Sequence, residues 1–319
     1  MAHATATDLS EALPMSWQPS QDADCTAASP CPPVRTVISP KARDLGDFEV
    51  RRVLPAVEAR AIGPFVFFDH MGPATFPPGK GIDVRPHPHI GLSTLTWLFD
   101  GSLMHRDSVG GVSEIQPGEV NWMTAGSGIV HSERSPDGFR AAEAHIEGIQ
   151  TWHALPAEDE EIDPSFVHYG IDDIPVVDQG GVRVALIAGG AFGMVSPMKV
   201  YSETLYADVR IDPGAQFGVP AGPAERAVYI VSGQIELGGA TFDEKQMLVL
   251  QEQGAPVITS PHGAHLMLIG GAPIGPRKIW WNLVSSRPER IEQAKTDWQE
   301  GRFAKVPGDE EEFIPLPED

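Results

Sequence analysis

Two short pairs, His87-x-His89 and His131-x-Glu133, carry donor atoms at a spacing of two residues. On a β-strand that spacing sends both side chains of a pair to the same face. Two such strands lining one narrow barrel would aim three imidazoles and one carboxylate at a common point. This donor set, with nitrogen and oxygen but no thiolate, suits one divalent metal ion per chain. Neutral imidazoles and one carboxylate leave a charge of about +1 on such an ion, and up to two octahedral positions stay open. A closed structural site leaves none, so the ligand count favours chemistry or small-molecule binding. Iron(II) suits the donors; manganese, nickel, cobalt, copper and zinc are compatible too, because the affinity order alone does not select iron.

The flanking sequence reads as strands. The run Gly91–Phe99 is rich in β-branched and aromatic residues and ends at Asp100-Gly101, a tight hairpin signal. Pro86 and Pro88 keep the chain extended around His87. Upstream of His131, residues 116–130 read as a turn, a strand and then a glycine hinge at Gly126-Ser127-Gly128. A helical zinc motif would need histidines four apart, and these are two apart. His105 reads as a strand histidine bonded to a neighbour, with support of a metal ligand as the alternative. His70, His145, His153, His168, His262 and His265 lack the paired spacing.

Gly81-x5-His87-x-His89, followed by Pro117-Gly118 and Gly126-x-Gly128-x2-His131, resembles the two halves of a cupin metal motif. More narrowly, RPHPHIGLSTLTWLFDG, NWMTAGSGIVHSE and FVFFDHMGP resemble the pirin family, two-domain members of the cupin superfamily. The similarity runs from Val34 to Trp298 and takes in Ile149-Gln150-Thr151-Trp152 and Trp280–Ser286. It implies an all-β fold of two cupin (double-stranded β-helix, jelly-roll) barrels with a short C-terminal helix. It also puts the metal ligands at His87, His89, His131 and Glu133. Many cupins carry a glutamate shortly after H-x-H; Ser93 stands there in this chain, and the later Glu133 supplies the carboxylate instead.

The chain of 319 residues is long enough for two such cores, and its 33 glycines and 30 prolines suit many short strands joined by turns. We assign residues 1–33 to an N-terminal extension and 34–155 to the metal-binding barrel. Residues 156–175 form a linker, 176–285 a second barrel, and 286–319 a helix and acidic tail. Strands are expected over residues 182–188, 205–211, 227–231, 234–237, 247–250, 257–259 and 265–269. That half has no H-x-H, and His262 and His265 would face opposite sides of one strand, so its role reads as structural. The linker run Glu158-Asp159-Glu160-Glu161 reads as a solvated loop, and Ser286-Arg287-Pro288-Glu289 as a capping-box start to a helix with Ile291, Ala294 and Trp298 on its docking face. The tail Gly308–Glu312 is expected to be mobile. Cys25 and Cys31, in the extension, read as free reduced thiols, with a small disulfide or weak metal binding as the alternatives.

The net charge of −21 repels phosphate backbones and argues against direct nucleic-acid binding. No apolar run reaches the length of a membrane span, and the early Asp8 and Glu11 do not suit a secretory signal, so a cytoplasmic location is expected. The family resemblance implies two functions. The first is cleavage of a flavonol such as quercetin by dioxygen with release of carbon monoxide, Glu133 acting as both ligand and proton acceptor. The second is metal-dependent regulation of a protein partner, a transcription factor or a metabolic enzyme. The enzyme is the leading expectation, with a small aromatic substrate and O2 as its partners. Phe67, Phe68, Trp97, Trp122 and Met123 are candidates for an apolar pocket wall, with core packing as the competing role.

Overall fold

Alternation of side chains along the strands explains most of the architecture. In Thr204–Ile211 the residues Leu205, Ala207 and Val209 face one core while Tyr206 faces another. Along Ala264–Gly271, Leu266 and Leu268 share the first of these cores and Met267 and Ile269 the second. Both faces of these strands are largely buried, so Leu266–Ile269 reads in sequence as a continuous apolar run, while Thr204–Ile211 is interrupted by the buried Asp208 and the exposed Arg210. The shared second core joins two barrels: Phe65, Phe68, Leu95, Trp97, Trp122 and Ile149 from the first meet Ile187, Tyr206, Tyr229, Met247 and Met267 from the other. This is why Phe68, Trp97 and Trp122 pack between barrels and none of them lines the cavity beside His87 and His89.

A computed structural model describes residues 32–44 and 49–317. The extension with Cys25 and Cys31 lies outside the described residues. From Pro33 onward the chain forms one compact unit, built as the expected pair of all-β cupin barrels with a C-terminal helix. The first barrel pairs a large sheet with a four-stranded one, ordered Asp83–His89, Ile129–Arg134, Leu103–Asp107 and Val112–Ile115. The large sheet runs in the order Ser165–Tyr169, Val120–Thr124, Leu92–Asp100, Ala144–Ala154, Phe65–Phe76, Glu49–Leu54, Lys41–Asp44. In the second barrel a small sheet of Gln216–Gly218, Val257–Thr259, Ile235–Leu237 and Ala240–Phe242 faces the extended sheet that contains Thr204–Ile211.

Four features depart from the sequence expectations. Val34–Ile38, assigned to the first barrel, pairs antiparallel with Met247–Leu250 of the second. The linker supplies the strand Ser165–Tyr169 to the first barrel's sheet, and its Glu160 is buried against Arg277 at 2.9 Å. Glu160 also accepts hydrogen bonds from the Ser285 hydroxyl (2.8 Å) and from the Ser286 amide and hydroxyl (2.7 and 3.0 Å). That contact removes the capping box: Ser286 is committed to Glu160, Arg287 occupies the N-cap without a side-chain cap bond, and Pro288 begins the helix Pro288–Gln299. Ile291 and Ala294 of this helix do dock, against Ile90 and Leu283. Finally, the acidic tail is held. Arg134 donates to Asp309 at 2.7 and 2.9 Å and to Glu312 at 2.8 Å, and the Ile314 amide donates to the Pro86 carbonyl at 2.9 Å.

Candidate metal centre

The strands Asp83–His89 and Ile129–Arg134 pair antiparallel with His131 opposite His87, which brings both histidine-bearing segments to one end of the barrel. His87, His89 and His131 are buried, and each offers a ring nitrogen within 4.8 Å of the other two. The Nε2 atoms of His89 and His131 stand 3.1 Å apart. Two nitrogens bound at right angles, each about 2.1 Å from one ion, lie about 3.0 Å apart, so this separation matches a shared ligand.

Each ring has a fixed orientation. The Nδ1–H of His87 donates to the Arg85 carbonyl at 2.9 Å, and that of His89 to the Asn282 carbonyl at 2.9 Å. His131 Nδ1 faces His105 Nδ1 at 3.4 Å, and His105 Nε2 lies 3.0 Å from Asp107 Oδ2. Asp107 can only accept, so His105 carries its proton on Nε2, leaves Nδ1 free, and takes the Nδ1–H of His131. All three site histidines therefore present an unprotonated Nε2 to the centre, the arrangement that metal-binding histidines require.

Electrostatics agree. Burial pushes the basicity of His89 and His131 well below that of an ordinary imidazole, and neighbouring histidines lower it further. For His87, burial lowers it, opposed by the Arg85 carbonyl and the Glu133 charge. The three rings are neutral near pH 7, which is the form that binds metal. Asp107 is the opposite case. Burial opposes its ionisation, but bonds from His105 and from the Gly111 and Val109 amides hold its carboxyl below the usual range.

Glu133 stands outside the three-imidazole cluster. Alternation along this strand is intact, since His131, Ser132 and Glu133 pair in regular register with Asp107, Arg106 and His105; the extra residue of the irregular pairing lies between Val84 and His87 on the facing strand and not before Glu133. Its carboxylate accepts from Gln150 Nε2 at 2.9 and 3.2 Å and from the Thr96 hydroxyl at 3.2 Å. It nevertheless lines the same cavity as His87 and His89, a space of about 340 Å3 whose wall includes Phe67, Met71, Trp152 and Trp281. Phe67 and Trp152 stack at 4.0 Å and 10°. Of the five wall candidates named from sequence, Phe67 lines this cavity and Met123 packs in the core around it. Ser93 bonds to the Thr124 hydroxyl at 3.0 Å and is no ligand.

Sequence reasoning missed Thr96 and Gln150, the Asn282 carbonyl, and the tail residue Ile314 at the cavity edge. None has a local signal, since each reaches the site through tertiary pairing. Asn282 arrives on a hairpin, Lys278–Trp280 with Leu283–Ser285, that lies on the His89 strand through an Ile90–Leu283 bridge. Gly91 permits this approach: its φ is +66°, and a Cβ there would run into the Val284 carbonyl oxygen. Trp281, in the hairpin turn, has φ of +52°. For a residue with a Cβ the left-handed conformation costs about 1–2 kcal/mol.

The pirin family model covers residues 47–153, and the model of the pirin C-terminal cupin domain covers residues 206–304. The chain belongs to the pirin family. A pirin-like protein of Caulobacter vibrioides is 52% identical over 285 residues, 88% of this chain and 99% of that one. Human pirin is 30% identical over 79% of this chain and 87% of its own length. The crystal structure of quercetin 2,3-dioxygenase from Acinetobacter baumannii superposes with a TM-score of 0.82 at 33% identity, covering 89% of this pirin and 95% of that chain. Among the described residues of this pirin, no helix is long and apolar enough to cross a membrane.

Proposed function

We propose that this pirin is a metal-dependent dioxygenase that cleaves a flavonol such as quercetin with O2 and release of carbon monoxide. The observation that carries the proposal is a cluster of three neutral imidazoles, Nε2 inward, two of which (His87 and His89) line a largely apolar cavity that also holds the Glu133 carboxylate. The similarity to the Acinetobacter quercetin 2,3-dioxygenase supports the same substrate class. His87, His89 and His131 would hold one divalent ion, with Glu133 as fourth ligand, and iron(II) suits these donors. Such an ion supplies Lewis acidity and a path for electrons between an organic chelate and dioxygen. The protein's own groups do the rest. Glu133 accepts the proton of the flavonol 3-hydroxyl, while Gln150 and Thr96 steady its carboxylate. Phe67, Met71 and Trp152 exclude water and contact the flat ring system. At about 340 Å3 the cavity lies at the small end of ligand sites, which favours a compact planar substrate. The reading includes a cytoplasmic location, where iron(II) and reduced thiols coexist.

The test is carbon monoxide release from quercetin and oxygen by iron(II)-loaded protein, beside His89→Ala reconstituted identically. Release by the parent and not by the variant is expected. No release from parent of verified iron content refutes the quercetinase assignment and moves metal-dependent capture of a regulatory protein partner to the front.

A further inference from the structure

Among the described residues, Phe192, Lys245 and Trp281 carry a side chain at positive φ. Two of these have evident compensation. Phe192 packs on the second barrel's core, and Lys245 Nζ donates to the Val231 carbonyl. Trp281 is only half-buried and lines the cavity that holds His87, His89 and Glu133. Its hairpin has a two-residue loop, since Trp280 pairs with Leu283, and such loops favour glycine or asparagine where φ is positive. A large indole at that position is locally disfavoured, and strain of this kind concentrates where a ligand is met.

The neighbours of Trp281 hold the turn rather than its indole. Trp280 is capped by Lys295 Nζ, 4.5 Å above its ring, and the Trp280 and Trp281 rings meet edge-on at 6.3 Å. The next residue, Asn282, fixes His89 through its carbonyl. The turn thus sets a metal ligand through its backbone and a cavity wall through its side chain. The other aromatic wall is the Phe67–Trp152 stack, with Arg52 4.5 Å over the Phe67 ring.

We propose that Trp281 is a specificity-determining residue that, with the Phe67–Trp152 stack, forms an aromatic slot for one planar ring of the substrate beside the metal centre. The inference rests on the functional reading above for the substrate class. Its physical basis is separate: stacking on a rigid indole rewards flat unsaturated rings and gives nothing to aliphatic chelators. Strain at the turn persists because glycine, the residue the backbone prefers, would remove the wall.

The test uses the full chain as parent, Trp281→Phe, Trp281→Ala and Trp281→Gly, each iron(II)-loaded and assayed for iron content. Quercetin affinity is measured anaerobically by visible titration, with 2-oxoglutarate as an aliphatic chelating probe, and carbon monoxide release is scored separately in air. The expected result is a Kd for quercetin raised about tenfold or more in the alanine and glycine variants, about 1.4 kcal/mol. The phenylalanine variant should stay within threefold, and the 2-oxoglutarate response and iron content should be unchanged. The glycine variant should melt no lower than parent, which excludes misfolding as the cause. Unchanged quercetin affinity in Trp281→Ala overturns the slot, as does parent that binds no quercetin, or a loss of affinity that merely follows lost iron. Trp281-dependent binding without carbon monoxide from parent keeps the slot and removes the dioxygenase. Turnover with affinity independent of Trp281 does the reverse.

Discussion

Asp107→Asn changes one atom pair well away from the three metal-facing nitrogens, yet it should weaken metal binding through the order of protons along a chain of rings. Asp107 Oδ1 accepts from the Val109 and Gly111 amides, so an asparagine would keep its oxygen there and turn its NH2 toward His105. His105 Nε2, 3.0 Å away, must then become an acceptor, which moves the proton of that ring to Nδ1. His105 Nδ1–H would face the Nδ1–H of His131 across 3.4 Å. Either that buried pair of donors stays unmatched, or His131 shifts its proton to Nε2 and loses its lone pair for metal. An unmatched buried polar group costs about 1–3 kcal/mol. Substitutions behind ligating histidines cost about tenfold to a hundredfold in metal affinity, a range that agrees with this cost. The long 3.4 Å step suggests the lower half of that range. Competition titration of iron(II) or zinc against a chromophoric chelator measures the change, and long-range 15N spectra of the apo protein report the His131 tautomer. Binding within threefold of parent, with His131 still protonated at Nδ1, would refute the relay.

Three further outcomes follow from features away from the ligands. Burial pushes His153 down to about 3, so between the ordinary imidazole value and that point only the unfolded chain takes up its proton. Stability therefore falls as pH drops through this window, by about 2 kcal/mol between pH 7 and 5 from this residue alone; urea midpoints should show it, and His153→Leu should flatten the slope. Glu160→Ala leaves Arg277 buried without its carboxylate and should cost about 3 kcal/mol or more, read from denaturant unfolding; a loss below 1 kcal/mol would show that Arg277 finds other partners. Ending the chain after Pro307 frees Arg134 and removes Ile314 from the cavity edge. Chelators should then strip iron several-fold faster at nearly unchanged affinity, and identical stripping rates would rule out any cover by the tail.

The three-histidine cluster was legible because its chemistry is written in short spacing. His87, Pro88 and His89 occupy one extended segment, and no tertiary contact is needed to see that the two rings share a face. The barrels were legible for a related reason: runs such as 205–211 and 265–269 are strands whichever partner they find. Glu133 obeyed the same spacing rule and lines the same cavity, but its carboxylate is engaged by Gln150 and Thr96 of the large sheet, partners that spacing within one strand does not reveal. Glu160 and Glu161 are neighbours of identical type, yet one is buried on Arg277 and the other exposed on Arg287 and Arg290. Nothing local separates them; the partner arginines lie more than a hundred residues later. The same distance hid the tail's attachment to Arg134 and the hydrogen bond that took Ser286 away from its helix.

The placement of Val34–Ile38 bears on how the chain is made. Its partner, Met247–Leu250, emerges from the ribosome about 210 residues later, which at typical synthesis rates is roughly ten to forty seconds. During that interval the first barrel's sequence is complete while an apolar strand at its start has no edge to join. The histidines wait as well, because the carbonyl that orients His89 belongs to Asn282. Nascent chains are thus obliged to hold a half-finished histidine pocket until synthesis is nearly over. Cutting the molecule between its barrels would strand that segment on the wrong fragment, so the halves should regain structure when co-expressed and not when made separately.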